Sequence, residues 1–248
     1  MTMRNILLKI EYDGTNYSGW QTQKNAQAIQ PILEAAIKTA TGKKANLISS
    51  GRTDAGVHAV CLMANFKTDS DMPLHKLQLA LNGILPKDIA VKEAKEAPLS
   101  FHSRFDAKSK VYTYTILNSP ARAAILRGHV YHITRKLNVA LMRREAKCLV
   151  GRHDFKSFRA APSEIKKGST VRAIKKIEVK KTGDLIKITV EADGFLYNMV
   201  RNIVGTLLEI GKGKIKPGSI AKILKARDRN LAGPTAPAKG LCLIEVKY

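Results

Sequence analysis

The 248-residue chain carries 43 lysines and arginines against 20 aspartates and glutamates, a formal net charge of +23, while 44% of its residues are hydrophobic. That hydrophobic share is enough for a packed core and excludes a disordered basic tail. A folded chain this basic repels itself unless a polyanion is its partner, which argues for nucleic acid and against a free-metabolite enzyme or a binder of small acidic proteins.

Alternation of Ile6, Leu8 and Ile10 predicts a first strand that runs into the turn Asp13-Gly14-Thr15-Asn16. Ile29, Ile32, Leu33, Ala36, Ile37 and Ala40 then mark one helical face, with Pro31 in the first turn, where a missing N–H costs little. Leu47 and Ile48 end a short strand, and a loop of small residues covers 49–56. A strand over 57–66, a helix over about 73–82 and a strand over 89–94 complete this half. The second half opens on the β-rich run 111–117, followed by a helix over 139–150 that Gly151 ends. Strands over 171–180 and 185–192 face each other across Thr182-Gly183-Asp184. The strongest helix presents Leu196, Met199, Val200, Ile203, Val204, Leu207 and Leu208 on one face, and Asn198, Arg201, Asn202, Gly205, Thr206 and Glu209 on the other. A short helix over 219–226 and a strand over 241–246 close the chain. The pattern predicts an α+β fold: two mixed α/β halves with antiparallel sheets and a cleft between them, residues 1–105 and 106–248.

Charge is uneven along this plan. Residues 1–124 hold 16 basic and 10 acidic side chains, net +6, whereas 125–248 hold 27 and 10, net +17. The stretch 156–187 alone has ten basic and three acidic residues, too large a surplus for local salt bridges, so a phosphate-facing surface is expected. The start of the chain lacks the apolar run of a signal peptide, and no apolar stretch approaches the length of a membrane span. Cys61, Cys148 and Cys242 are odd in number and far apart, which fits reduced, mostly buried thiols in a cytoplasmic protein. No His-Glu-x-x-His, nucleophile elbow or Walker-type loop occurs, and His129 and His132 have no neighbouring carboxylate, so no metal is expected.

The most unusual segment is Ser49-Ser50-Gly51-Arg52-Thr53-Asp54-Ala55-Gly56-Val57-His58-Ala59. Small residues let such a loop approach a ligand; Arg52 offers a fork of donors to phosphate, and Asp54 a carboxylate. Taken alone, the window is better explained by an Asx turn at Asp54, a surface charge at Arg52 and a strand residue at His58.

Residues 51–59 also resemble the signature of tRNA pseudouridine synthases that act on the anticodon stem-loop. The resemblance continues through Glu11-Tyr12-Asp13-Gly14-Thr15-Asn16-Tyr17-Ser18-Gly19-Trp20-Gln21, Phe101-His102-Ser103-Arg104-Phe105, Tyr112-Thr113-Tyr114, residues 151–160, residues 198–205 and residues 231–243, in order along nearly the whole chain. One departure is Cys61-Leu62, where the family usually has Gly-Gln, in the strand beyond the loop. The resemblance implies a pseudouridine synthase-like fold, tRNA as partner, a homodimer and no cofactor. It makes Asp54 the nucleophile that acts on a flipped-out uridine at positions 38, 39 and 40. It gives Arg52 the phosphates or the vacated stack, makes Tyr112 the ring against the flipped base, and sets Arg201 beside the catalytic aspartate. Two other classes compete: a non-catalytic RNA binder, which has no need of a carboxylate among its phosphate contacts, and an RNA hydrolase using Asp54 with His58, which lacks the second carboxylate expected around Mg²⁺.

Overall fold

The computed structural model describes residues 2–21, 26–160 and 168–248; part of the basic stretch 156–187 lies outside them. The chain runs through β1 (Arg4–Tyr12), α1 (Ile29–Thr41), β2 (Ile48–Ser49), β3 (His58–Thr68), α2 (Leu74–Ile84) and β4 (Ile89–Ala97). It continues through β5 (Ser109–Asn118), β6 (Tyr131–Ile133), α3 (Val139–Ala146) and β7 (Gly151–Asp154). Then come β8 (Val171–Thr182), β9 (Leu185–Ala192), α4 (Met199–Gly211), α5 (Ser219–Ala226) and β10 (Leu241–Lys247). These residues form two compact units, Met1–Lys108 with Cys242–Tyr248, and Ser109–Leu241. Each is α+β, with sheets that are mainly antiparallel. No helix among the described residues is long and apolar enough to cross a membrane.

In the first unit β1 lies between β3 and β4, antiparallel to both, and β10 joins β3 in parallel, with Cys242 opposite His58. The predicted alternation in β1 holds: Ile6, Leu8 and Ile10 are buried because side chains two apart share one face of the sheet. α1 buries Ile29, Leu33, Ala36 and Ile37 and stops at Gly42, whose left-handed backbone lets its N–H bond the Lys38 carbonyl. Cys61 and Leu62, where the chain departs from the family pattern, are both buried in β3. Of the three cysteines only Cys61 is buried; Cys242 is half-buried and Cys148 exposed, which corrects the expectation of mostly buried thiols. Burial pushes the Cys242 thiol up to about 11.

The second unit stacks β5, β9, β8 and β7 antiparallel, with β6 added in parallel to β5. Tyr112, Tyr114 and Ile116 of β5 pair with Val190, Ile188 and Ile186 of β9, so one face of both strands is core. The β8–β9 hairpin turns on two residues, Gly183 and Asp184, and Gly183 supplies the positive φ of 56°. The helix expected over 139–150 is shorter: α3 ends at Ala146 and residues Lys147–Leu149 tighten into a 3₁₀ turn. Gly151, at φ 107°, begins β7.

Candidate active site

Asp54 lies in the loop between β2 and β3 at the first position of a tight turn. Its carbonyl accepts from Val57 N at 3.1 Å, and Gly56 takes the positive φ of 75° that such a turn needs at its third residue. The turn closes through the main-chain carbonyl of Asp54 rather than through its side chain as an Asx turn would, and it sets the residue half-buried at its start, with Arg52 exposed two residues earlier. Backbone bonds to residues 12–20 hold the loop from the other side. Trp20 N donates to Thr53 O at 3.1 Å, Gly56 N to Tyr17 O at 3.1 Å, and the Tyr12 hydroxyl lies 2.7 Å from Thr53 Oγ1. No room remains for side chains at the crossing points. A Cβ on Gly14 would stand 2.0 Å from Val57 O, and one on Gly19, at φ 99°, would stand 2.4 Å from Thr53 O. The segment 11–21, which the sequence marks by a turn at 13–16 and by resemblance, is thus the scaffold of the Asp54 loop.

Beneath it, Tyr17 donates to Asp88 Oδ1 at 2.6 Å; burial, then the bond to that carboxylate, raise its hydroxyl well above the usual phenol range. His58 is buried at the head of β3. Its Nδ1 accepts from Gly14 N at 3.1 Å and lies 3.0 Å from Asp13 Oδ1, so this ring nitrogen is engaged in bracing the loop.

Tyr112 and Arg201 belong to the second unit. Tyr112 is 8% exposed, and its ring meets Phe195 edge-on at 5.1 Å, which fixes its plane. Tyr114, two residues on and fully buried, donates to Pro237 O at 2.7 Å; burial raises its hydroxyl and the Arg201 charge works against that rise. Arg201 is held at both ends of its guanidinium, with Nε donating to Ala236 O at 2.7 Å and a terminal nitrogen donating to Asn198 Oδ1 at 2.9 Å. Asn198 itself adopts φ 57°, rare for a residue other than glycine, and begins α4 where it can meet that arginine.

The chain matches the family model described as tRNA pseudouridine synthase over residues 9–106 and 146–248. It is 50% identical over 246 residues to tRNA pseudouridine synthase A of Thermoanaerobacter sp. (strain X514), covering 99% of this chain and 100% of that protein. It is 49% identical to the protein of the same name from Acetivibrio thermocellus, with the same coverage, and 49% identical to tRNA pseudouridine synthase A 2 of Clostridium tetani, covering 99% of each. The chain belongs to the tRNA pseudouridine synthase family. It is an isomerase.

In this synthase the face of α4 that carries Arg201 departs from the amphipathic expectation. Asn202 and Thr206 are fully buried, and Gly205 is covered as well. Residues 229–236 lie against that face. Arg229 donates to the carbonyl of Gly233 at 2.9 Å and to Asn202 Oδ1 at 3.0 Å; Thr235 Oγ1 donates to the same Asn202 oxygen at 2.6 Å. Gly233 N donates to Thr206 Oγ1 at 2.9 Å, and Ala236 N to the Arg201 carbonyl at 3.1 Å. Asn202, Arg229 and Thr235 therefore seat the segment whose Ala236 carbonyl aims Arg201. Sequence reading passed over this triad, because Asn202 and Arg229 are 27 residues apart and each alone resembles a surface residue.

Proposed function

We propose that the synthase converts uridine to pseudouridine at positions 38, 39 and 40 of the tRNA anticodon stem-loop, with Asp54 as nucleophile. The observation that carries this reading is the clamped loop: a carboxylate presented at a turn whose backbone is fixed on both sides by residues 12–20 and β3. The target base is stacked in RNA, so it must be turned out before chemistry. The C1′–N1 glycosidic bond then breaks and a C1′–C5 bond forms. The proton on C5 leaves and N1 gains one, so the sum is an isomerisation that needs neither a redox cofactor nor an energy source. An ionised carboxylate can attack C1′ or take a proton from the sugar as the base departs. Arg52, exposed on the same loop, contacts phosphate or fills the place of the flipped base. Tyr112 offers a flat ring to the detached uracil, and Arg201 supplies a fixed positive charge to the substrate. The enzyme acts in the cytoplasm as a homodimer.

Incubating the purified protein with tRNA carrying labelled uridine tests the reading. Pseudouridine at one or more of positions 38–40 is the expected product. RNA fragments would replace the synthase with a hydrolase, and unchanged bound RNA would replace it with a binder. For Tyr112, alanine is expected to reduce turnover far more than phenylalanine does, by roughly one to two orders of magnitude on the scale of a lost base–aromatic stack. A severe defect in Tyr112→Phe would transfer the role from the ring to its hydroxyl.

A further inference from the structure

The turn 98–106 is anchored as firmly as the Asp54 loop but presents no catalytic group. Its inner side is a buried polar network. Asn5 Nδ2 donates to the carbonyls of Pro98 at 2.8 Å and Phe101 at 3.1 Å, and Asn65 Oδ1 accepts from Ser103 N at 2.9 Å and Ser103 Oγ at 2.7 Å. The Tyr248 hydroxyl donates to Ser103 O at 3.0 Å, and the Phe101 ring packs at 5.0 Å on that tyrosine. Asn5, Asn65 and Ser103 are 0–1% exposed. Local bonds then stiffen the tip. Asp106 Oδ2 accepts from His102 N at 2.9 Å, and His102 Nδ1 lies 3.2 Å and 3.3 Å from the amide nitrogens of Arg104 and Phe105, which donate to it.

On this fixed base stands Phe105, 74% exposed. Its ring stacks on His102 with centroids 4.2 Å apart and planes 30° from parallel. The exposed Arg104 guanidinium lies 5.6 Å from the ring centroid, at the outer edge of cation–π distance, so it can swing to a phosphate without breaking a close contact. At this exposure the ring adds little to the packing of the unit. A ring backed by histidine, rigid before binding and flanked by a cation suits a nucleobase: stacking is sequence-tolerant and a preorganised ring loses little entropy.

We propose that Phe105, backed by His102 and flanked by Arg104, is a stacking platform for an unpaired base of the bound tRNA. The platform rests on tRNA as the substrate and adds to the four site residues a further contact with the RNA. In a filter-binding titration with unmodified tRNA, Phe105→Ala is expected to weaken binding about tenfold, as loss of one stacked base does. Phe105→Trp should bind at least as tightly as the native protein. The slope of log affinity against log salt should not change in either variant, since no phosphate contact is lost, whereas Arg104→Ala should reduce it by about one. Phe105 is exposed, so both variants should melt with the native protein. Native affinity in Phe105→Ala would overturn the platform. So would a change in its sedimentation with tRNA affinity unaltered, which would make the ring a contact between protein copies. Failure of the native protein to form pseudouridine would instead overturn the reaction, because the binding comparison does not depend on turnover.

Discussion

On the role proposed for Asp54, replacing it with asparagine or alanine is expected to abolish pseudouridine formation, lowering turnover by roughly four orders of magnitude or more. The fold and tRNA affinity should survive. The loop is held through the backbone of its neighbours, by Thr53 O, Gly56 N and the turn from Asp54 O to Val57 N, and none of these bonds uses the carboxylate. Asparagine keeps the shape and the turn preference of aspartate and removes only the charge and the nucleophilic oxygen. Neutralising one carboxylate on a protein of net charge +23 cannot weaken its hold on a polyanion through charge. The measurement is paired: single-turnover conversion of labelled uridine, and tRNA affinity at fixed salt. Conversion near the native rate in Asp54→Asn would remove Asp54 from the mechanism. Lost affinity with lost conversion would make it a binding residue instead.

How far the sequence reaches can be followed element by element. Segments with sustained periodicity were legible: α5 spans the predicted 219–226, and β8 and β9 extend the predicted hairpin by two residues at most. Short elements were not. β6 has three residues and exists because Tyr131 and Ile133 find Ile116 and Asn118 in register, a condition set by β5 rather than by β6 itself. Likewise β7 pairs with β8 from Gly151 to Asp154, where a glycine after an apolar helix reads locally as a stop. β10 closes on β3 across more than 170 positions of sequence, and no local pattern reports such a partner. In the site, Arg52 and Asp54 stood out because glycines and small residues surround them. Their supports did not, because Gly14 and Gly19 act through backbone approach, which carries no side-chain signature, and Tyr12 through a hydroxyl that meets Thr53 from a distant strand. On α4 the polar face is not a solvent face, for a definite reason. Asn202 and Thr206 are polar because they bond a peptide segment, and burial follows wherever those bonds are complete.

The same α4 contact yields the largest expected effect on folding. Gly205→Ala would set a Cβ 1.7 Å from the Pro234 carbonyl oxygen, a backbone atom that cannot turn aside as a side chain can. Gly233 faces the helix equally closely, since a Cβ there would lie 2.7 Å from Thr206 Cα. The two segments touch backbone to backbone, and residues 233–236 must retreat to admit a methyl group. Retreat would strain the bonds from Gly233 N to Thr206 Oγ1, from Ala236 N to Arg201 O and from Arg201 Nε to Ala236 O. Overpacking costs about 1–3 kcal/mol, and each buried donor or acceptor left unmet adds about 1–3 kcal/mol. A loss of about 3–5 kcal/mol follows, which at this chain length lowers the melting temperature by roughly 6–20 °C. Helix propensity pulls the other way, since alanine is favoured over glycine by about 1 kcal/mol inside a helix. Gly83, near the end of α2, isolates that opposing effect because nothing lies within 4 Å of a Cβ built there. Gly83→Ala should therefore leave the melting temperature unchanged or raise it by a few degrees, at about 1 kcal/mol or less. Opposite signs for the same chemical change in two helices would identify the close approach as the cause. Equal and small effects would mean that residues 233–236 yield freely and cannot be what holds Arg201 in place.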